Sequence, residues 1–416
     1  MFGSEQVFTL HSLDCTHLLA TSHGTALGSA LTSPLTMTAS CALQPRVLIA
    51  DDQPDLLDAL RLLLKGEDIL METVTSPEAV LRAIEGRRFD LLLMDLNYTG
   101  DTTSGREGID LLARVQAIDD MLPIVVMTGW GSVDLAVEAM RRGVRDFVQK
   151  PWNNRQLVTM LRSEIDAGRV RRQQQQHQDR ELQEARRIQQ TLLPARLPQV
   201  DGWSVAASWQ PSAGVGGDCY DAIDFGSARV GVSIADVVGK GIPAALLMSN
   251  LQASVRAFAT ECVSPADLCR QVNRVLCGNI AEGRFISFFY CVVDPRRQTV
   301  TYSNAGHYPP IVVRSDGSVE RLTAGGPVLG VLNDGVYEEA SVPIRPGDRV
   351  ILFTDGITEA RNASDEEFGE ERLIAAAVHN RGASSAVLDH SLAATVRAFT
   401  GGNYQDDATL VVMGTA

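Results

Sequence analysis

The sequence is short of positive charge, and the shortage is uneven along the chain. Its 416 residues contain 37 Lys and Arg against 51 Asp and Glu, which gives a formal net charge of -14. Nonspecific nucleic-acid binding depends on an excess of Lys and Arg, so no nucleic-acid partner is expected. Residues 1–45 contain no Lys or Arg at all, so they lack the basic start of a secretory signal peptide.

Two further features are missing. No apolar run reaches the ~18–20 residues of a membrane-spanning helix, so no membrane segment is expected. The seven cysteines are odd in number and include no Cys-x-x-Cys pair. This favours reduced thiols in the cytoplasm over a disulfide framework. Residues 1–44, which are rich in Ser, Thr and Ala, are predicted to be a disordered or loosely ordered tail.

From Arg46 onward, apolar strands alternate with helical patterns. Strands are predicted at "RVLIADDQ", "FDLLLMDL", "PIVVMTGW" and, as a short edge strand, "DFVQKPW". This alternation predicts a doubly wound parallel sheet over residues 45–165. Ligands of such sheets bind at the carboxyl ends of the strands. The polar residues predicted at these ends are Asp51, Asp52, Asp95, Thr128 and Lys150.

Three of these residues are carboxylates, which would repel one another without a cation between them. Mg²⁺, which prefers oxygen ligands and keeps several waters, is the expected occupant. Lys150 adds a positive charge suited to a phosphoryl oxygen, and Thr128 adds a hydroxyl that can follow it. As a set, the residues favour a metal and phosphoryl site over isolated helix caps.

On these residues, positions 45–165 resemble a response-regulator receiver domain, which has the flavodoxin-like fold. The resemblance implies that Asp95 accepts a phosphoryl group from a histidine kinase. The implied Mg²⁺ ligands are Asp52, Asp51 through water, Asp95 and the carbonyl of Asn97, and the implied switch residues are Thr128, Phe147 and Lys150. The sequence departs from the family pattern after Asp95, where Thr99-Gly100 replaces Pro-Gly and "DTTSG" looks like an insertion.

Residues 166–195 are rich in Gln, Arg and Glu and are predicted to form a helical linker. Apolar residues keep a 3–4 spacing near its end, but Arg171 and Gln175 interrupt the seam further back. A dimeric coiled coil, which would make the protein a homodimer, and a single solvated helix are both open. Pro194 and Pro198 are expected to end the helix.

The last part of the chain, residues 196–416, is rich in predicted strands. They lie at "WSVAASWQP", "RVGVSIADVVG", "FISFFYCVVD", "TVTYSNAGH", "RVILFTDG" and "ATLVVMG". Two helical stretches, "IPAALLMSNLQASVRAFA" and "SPADLCRQVNRVLCGNI", lie between them. This pattern predicts an α/β sandwich of antiparallel sheets.

Acidic residues recur at the strand ends and turns of this part. They are Asp218 in "GGDCYD", Asp236 in "IADVVGKG", Asp355 in "FTDGITEA" and the neighbours Asp406 and Asp407 in "QDDATLVV". Any one of them could be an ordinary turn aspartate. If they converge on one edge, they would bind two hard divalent ions, which can share a water molecule and lower its pKa. The roles of Asp221 and of Asp407 are open at this point.

Taken in order, the motifs "LLPARLP", "GGDCYD", "ADVVGKGIPAAL", "NAGHYPPIV", "GPVLG", "FTDGITEA" and "QDDATLVV" resemble the PPM family of metal-dependent serine/threonine phosphatases. The resemblance is to its bacterial branch of sporulation and stress-response sigma-factor regulators. It implies two Mn²⁺ or Mg²⁺ ions and a phosphoserine or phosphothreonine protein substrate, an anti-sigma-factor antagonist. The implied catalytic and metal-binding residues are Asp218, Asp236, Asp355 and Asp406, with the carbonyl of Val237 as a further ligand.

The sequence therefore predicts a phosphatase controlled by phosphorylation of Asp95, with the last receiver helix and the linker as the route. A catalytically silent scaffold that binds a sigma-switch partner is the alternative. A receiver-driven transcription factor would need a basic helix-turn-helix, and the sequence shows no such pattern. Lys240 is either a phosphate binder or a solvated lysine, and His307 is expected to be structural.

Overall fold

The computed structural model describes residues 44–98, 106–129, 133–198, 200, 202–212, 214–226, 229–262, 264–281 and 283–415. The predicted tail up to residue 43 lies outside them, as do Thr99, Gly100 and the "DTTSG" stretch. The chain divides into two compact units, the first ending at Ile165 and the second beginning at Asp166.

The first unit is a parallel sheet of five strands with helices on both faces. Its strands are β1 (Arg46–Ala50), β2 (Leu70–Val74), β3 (Leu91–Asp95), β4 (Ile124–Thr128) and β5 (Asp146–Gln149). Its helices are α1 (Pro54–Leu64), α2 (Pro77–Gly86), α3 (Arg106–Ile118), α4 (Val133–Arg141) and the start of α5 (Asn154–Leu192). The strand order is β2-β1-β3-β4-β5 and every neighbouring pair is parallel, which confirms the predicted doubly wound sheet.

The central strands read as continuous apolar runs because both of their faces are covered. Every residue of β3 and β4 is buried, and alternate strand residues belong to two separate hydrophobic clusters on opposite faces of the sheet. The edge strand β2 was missed by the sequence reasoning. Its sequence "LMETV" is only partly buried and includes a Glu and a Thr, so it lacks the apolar signal of its neighbours.

The second unit is a four-layer sandwich with two sheets at its centre. The first sheet contains β7 (Cys219–Asp224), β8 (Val230–Val237), β9 (Ile286–Asp294), β10 (Thr299–Ala305), β13 (Gly325–Gly326) and β14 (Ala340–Pro343). The second contains β6 (Trp203–Gln210), β11 (Ile311–Val313), β12 (Val319–Arg321), β15 (Arg349–Phe353) and β16 (Ala408–Thr415). The helices are α6 (Gly241–Phe258), α7 (Pro265–Cys277), α8 (Asp355–Thr358), α9 (Gly369–His379) and α10 (Ser385–Thr400).

Three hydrophobic clusters hold these layers together. One lies between the two sheets, one joins α6 and α7 to the first sheet, and one joins α9 and α10 to the second. The first sheet has the order β13-β10-β9-β8-β7 with β14 also on β10, and the second has the order β12-β11-β15-β16-β6. The α/β sandwich is confirmed, and among the described strands β10 and β13 form a short parallel pair in the otherwise antiparallel first sheet.

The helix α5 runs without a break from Asn154 to Leu192. The predicted linker is therefore a continuation of the last receiver helix and not a separate element. Its first turns bury Leu157, Leu161 and Ile165 against the sheet of the first unit, and it ends just before Pro194. Among the described residues, no helix combines the length and the hydropathy required to cross a bilayer.

We expect Gly108 of α3 to tolerate no side chain. A Cβ there would lie 2.5 Å from the carbonyl oxygen of Leu96 and 2.6 Å from its Cα. Gly108→Ala should therefore lower the free energy of unfolding of the first unit by about 1–3 kcal/mol, although Ala favours helix over Gly by about 1 kcal/mol. The measurement is hydrogen exchange of the β3 amides in the full chain.

Gly86, at the end of α2, is the matched control. A Cβ there meets no atom within 4 Å, so Gly86→Ala should be neutral or slightly stabilising. Equal protection of β3 in the two variants would contradict the close packing of α3 on Leu96.

Candidate functional site

The carboxyl ends of β1 and β3 bring three carboxylates of the first unit together. Ala50 is in register with Met94 in the parallel pair, so the residues that follow them, Asp51 and Asp95, reach the same edge. Asp51, Asp52 and Asp95 each offer an oxygen, and these oxygens lie within 4.8 Å of one another. Three oxygens at this spacing fit one hard cation such as Mg²⁺.

Lys150 lies over this acidic cluster. Its Nζ donates to Oδ2 of Asp51 at 2.7 Å and to Oδ2 of Asp95 at 2.8 Å. Burial raises the pKa of Asp95, although the hydrogen bond from Lys150 acts in the opposite direction. Burial alone would lower the pKa of Lys150, but its hydrogen bonds to the two carboxylates raise it overall. One ammonium against three carboxylates still leaves net negative charge for a cation to balance.

The other predicted receiver residues flank the cluster. The N–H of Asn97 donates to Oδ1 of Asp95 at 3.4 Å. The side-chain oxygen of Asn97 and the hydroxyl of Tyr98 are buried, and neither has a hydrogen-bond partner among the described residues. Orphaned polar atoms beside three carboxylates fit a site that a hydrated cation completes. Thr128 is buried at the end of β4, whereas Phe147 on β5 is 41% exposed.

In the second unit, Asp218 is the most enclosed of the predicted acids, at 1% exposure. Its Oδ2 accepts hydrogen bonds from the hydroxyls of Thr354 and Thr409, both at 2.7 Å. Its Oδ1 is buried and has no partner among the described residues, so it is free to bind a cation. The sequence reasoning missed both threonines, although each stands inside an acidic motif, "FTDG" or "DDATL".

Burial and neighbouring charges raise the pKa values of Asp218, Asp236 and Asp355. Burial, followed by the charge of Asp236, raises the pKa of Asp218 well above its ordinary value. Burial and the charges of Asp355 and Asp406 raise the pKa of Asp236, and burial with the charges of Glu359 and Asp406 does the same for Asp355. These carboxylates therefore share one electrostatic environment, which divalent cations would stabilise.

The acids of the second unit are spread more widely than those of the first. In the described parts of the chain, the Asp51 cluster has three ligand oxygens within 4.8 Å, and no trio drawn from Asp218, Asp236, Asp355 and Asp406 does.

The turn "GVGGDCYD" places Asp218 by close backbone contacts. The N–H of Gly217 donates to Oδ2 of Asp407 at 2.7 Å. A Cβ on Gly217 would lie 2.8 Å from the carbonyl oxygen of Val237, and one on Gly216 would lie 2.3 Å from Oδ2 of Asp407. Only glycine fits at both positions, and the predicted carbonyl ligand of Val237 lies beside the turn that carries Asp218.

The structure separates the neighbours Asp406 and Asp407. Asp407 is buried and accepts hydrogen bonds from the N–H of Ser212 at 2.8 Å, from its hydroxyl at 3.1 Å, and from Gly217. The side chain of Asp406 is 51% exposed, and its Oδ2 lies 3.6 Å from Nζ of Lys240. The geometry therefore favours Asp406 as a metal ligand and Asp407 as the support of the turn.

Asp221, whose role the sequence left open, and His307, which is expected to be structural, both have hydrogen-bond partners. Asp221 accepts from Nε of Arg256 at 2.6 Å and from its Nη2 at 3.1 Å, which ties β7 to α6. His307 is buried, its Nδ1 shares a hydrogen bond of 2.9 Å with the hydroxyl of Ser287, and Asn304 bonds its N–H and its carbonyl. Burial lowers the pKa of His307 to about 4, so it is a neutral structural residue near pH 7.

The C-terminal part of α5 makes a contact with this turn that the sequence reasoning missed. Gln189 is 3% exposed. Its Nε2 donates to the carbonyl of Gly216 at 2.6 Å, and its Oε1 accepts the N–H of Gly216 at 3.1 Å. Leu182, two turns earlier, packs against Gly214. A single Gln in a Gln-rich helix carries no distinguishing sequence signal, so only the structure reveals this contact.

Two known family models match this chain, one in each of its two units. Residues 47–162 match the family model of the response regulator receiver domain. Residues 226–416 match the model described as Stage II sporulation protein E (SpoIIE). The predicted combination of a receiver domain with a phosphatase domain of this branch is thus confirmed. Asp218 lies before residue 226, outside the SpoIIE match, so its proposed role rests on its burial and hydrogen bonds.

Individual relatives cover parts of the chain. Protein IcfG of Synechocystis sp. is 30% identical over 286 residues, which are 62% of this chain and 44% of that protein. Phosphoserine phosphatase RsbU of Bacillus subtilis is 34% identical over 188 residues, which are 45% of this chain and 56% of that protein. The chain thus spans about half the length of the curated relatives it matches.

Among solved structures, the SiaA-PP2C domain of Pseudomonas aeruginosa has a TM-score of 0.52 at 23% identity. The match covers 58% of this chain and 98% of that domain. At this identity the likeness shows a shared fold.

Asp406 and Asp407 should respond differently to substitution. Asp407→Ala leaves three donors without an acceptor and should lower the free energy of unfolding of the second unit by about 2–5 kcal/mol. Asp406→Ala should leave stability near that of the wild type but weaken Mn²⁺ binding more than about tenfold. Thermal unfolding and calorimetric titration with Mn²⁺ measure the two effects. Loss of stability in Asp406→Ala with none in Asp407→Ala would reverse the two roles.

Proposed function

We propose that this chain, in which a receiver domain precedes a phosphatase domain of the SpoIIE family, is a metal-dependent protein serine/threonine phosphatase regulated by phosphorylation of Asp95. The observation that carries the proposal is the buried Asp218, whose Oδ1 has no partner among the described residues and whose pKa is raised by burial and by the charge of Asp236. The identity shared with a relative named as a phosphoserine phosphatase supports the substrate class.

The residues present fit two divalent ions, Mn²⁺ or Mg²⁺. The proposed ligands are Asp218, Asp236, Asp355, Asp406 and the carbonyl of Val237. When bound, such ions polarise phosphoryl oxygens and make water a better nucleophile near pH 7. The chain itself contributes position: the hydroxyls of Thr354 and Thr409 fix Oδ2 of Asp218, and Asp407 holds the turn that carries Asp218.

In the receiver, Asp95 is proposed to accept the phosphoryl group from a histidine kinase. Asp51, Asp52 and the carbonyl of Asn97 would hold Mg²⁺ beside it. Lys150 bridges Asp51 and Asp95, so its ammonium is already placed to neutralise a phosphoryl oxygen on Asp95. Thr128 and Phe147 are the proposed switch residues, one buried and one exposed.

The proposed route from receiver to phosphatase is α5. The helix is continuous from the last helix of the receiver to Gln189, which bonds both backbone groups of Gly216. Gly216 is two residues before Asp218, so any shift or rotation of α5 at Gln189 acts directly on the turn that carries this acid. A population shift between two positions of α5 would then change the geometry of the metal site.

The proposed substrate is an anti-sigma-factor antagonist phosphorylated on Ser or Thr, as the family resemblance implies, and the proposed compartment is the cytoplasm. A homodimer formed through α5 is part of the proposal, because α5 exposes the apolar side chains of Val170 and Ile188, which a second copy could cover. The alternative of a silent scaffold is disfavoured, since the full set of candidate metal ligands is present and buried hydroxyls orient one of them.

Removal of a proposed metal ligand should abolish turnover. We expect Asp218→Ala and Asp355→Ala each to lower the hydrolysis of a phosphoserine peptide and of p-nitrophenyl phosphate at least about 100-fold in Mn²⁺, because each removes a charge from a two-ion site. Asp316→Ala, in the exposed turn between β11 and β12, is the matched control and should retain activity. Turnover retained in both ligand variants, or full activity in excess chelator, would contradict the proposed two-metal site.

Phosphorylation of Asp95 should change the rate of hydrolysis. With Mg²⁺ and a small phosphodonor such as acetyl phosphate, we expect the wild type to change its turnover of the phosphoserine peptide about fivefold or more, the lower end of ordinary allosteric coupling. Asp95→Asn should show no change. Gln189→Ala keeps the phosphoacceptor but removes the hydrogen bonds to Gly216. It should therefore be phosphorylated normally, and its turnover should change little on phosphorylation.

The two variants test different steps of the coupling. A response of Asp95→Asn equal to that of the wild type would exclude Asp95 as the phosphoacceptor. A full response in Gln189→Ala would exclude the contact with Gly216 as the route.

A further inference from the structure

A guanidinium group near the proposed phosphatase site has no partner among the described residues. Nη1 of Arg284 lies 3.9 Å from the position that a Cβ on Gly239 would occupy. The side chain is half-buried. In the part of the chain that the structure describes, it takes part in no hydrogen bond or ion pair. A charged group of this kind, held partly out of water and unpaired, can bind an anionic ligand without first breaking another contact.

The backbone fixes Arg284 at this place. Val237 at the end of β8 is in register with Ile286 at the start of β9. The N–H of Val238 then donates to the carbonyl of Phe285 at 3.1 Å, so the pairing continues one residue beyond the strands and brings Arg284 opposite Gly239. Gly239 follows the proposed ligand Asp236 by three residues. The guanidinium therefore lies at the turn that leaves the metal-binding strand.

The second cation of this turn, Lys240, is already engaged. Its Nζ donates to the carbonyl of Gln405 at 2.8 Å and lies 3.6 Å from Oδ2 of Asp406. Its charge is thus used to hold the segment that carries Asp406. The side chain of Lys240 stays 57% exposed while it makes these contacts, and its two alternative roles stay predictions.

We infer that Arg284 binds the phosphate group of the substrate and so determines specificity for phosphomonoesters, an inference that rests on the proposed function. A phosphomonoester near pH 7 carries about two negative charges, and the carboxylates of the site repel it. The proposed metal ions offset part of this repulsion. A guanidinium can add two parallel hydrogen bonds to two phosphate oxygens, which a lysine ammonium does not match in geometry.

The test measures phosphate binding directly, apart from turnover. Inorganic phosphate is titrated calorimetrically into the Mn²⁺-loaded full chain, and the KM for p-nitrophenyl phosphate is measured in parallel. Arg284→Gln should weaken phosphate binding and raise the KM about tenfold or more, as expected for the loss of a charge-assisted contact. Its Mn²⁺ affinity should stay within about twofold of the wild type. Arg284→Lys should recover part of the loss because it restores the charge but not the paired donors.

Arg274 offers the matched control for loss of charge. It lies exposed on α7, so Arg274→Gln removes the same charge from the same unit and should bind phosphate as the wild type does. Equal phosphate binding by Arg284→Gln and Arg274→Gln would overturn the assignment of Arg284, as would a loss of Mn²⁺ affinity that accounts for the whole effect in Arg284→Gln.

The same measurements distinguish failure of the Arg284 assignment from failure of the proposed phosphatase function. If the wild type binds phosphate through Arg284 but hydrolyses no phosphoester, the phosphatase proposal fails and the binding site stands. If the wild type hydrolyses the ester and Arg284→Gln binds phosphate normally, the assignment of Arg284 alone fails. If the Mn²⁺-loaded wild type neither binds phosphate nor hydrolyses the ester, both fail together.

Discussion

Repulsion among enclosed carboxylates is the constraint on which both candidate sites depend. Each site gathers acids at strand ends, where burial and mutual repulsion disfavour the charged forms. Both folds keep the acids together because backbone pairing between strands fixes the positions of the strand ends that carry them. In the receiver it is the parallel pair of β1 and β3, and in the phosphatase domain it is the pairs β7–β8 and β15–β16.

The two sites limit this repulsion in different ways. The receiver has an internal cation, because Lys150 contacts Asp51 and Asp95 directly. The phosphatase domain orients Asp218 with two neutral hydroxyls, which satisfy one carboxylate oxygen but bring no charge. Divalent cations bound from solution would balance the remaining negative charge. The receiver thus holds part of its counter-charge internally, whereas Asp218 receives none from its two hydroxyl partners.

The candidate acids have a local signal in the sequence, whereas the residues that support them do not. Asp51, Asp95, Asp218 and Asp355 stand at ends of apolar strands or in Gly-rich turns, and such positions have a strong local signal. Gln189, Thr354 and Thr409 act over 27 to 191 residues of chain, and no local pattern encodes a contact at that separation. The same limit applies to strands: β2 and the short strands β11 to β14 lack the length or the apolar run that revealed β3, β4 and β8.

The turn at Gly216 and Gly217 shows how a contact of modest energy can control an acid site. Gly217 is bonded to Asp407 from one side and Gly216 to Gln189 from the other, so the turn is held between β16 and α5. If α5 moved away, one buried N–H and one buried carbonyl would lose their partners, at a cost of about 1–3 kcal/mol each. The free energies by which one site ordinarily influences another are about 1–3 kcal/mol. Breaking both hydrogen bonds would cost about 2–6 kcal/mol in total, so only the lower end of this range matches such a coupling. The three hydrogen bonds to Asp407 would keep the rest of the turn in place.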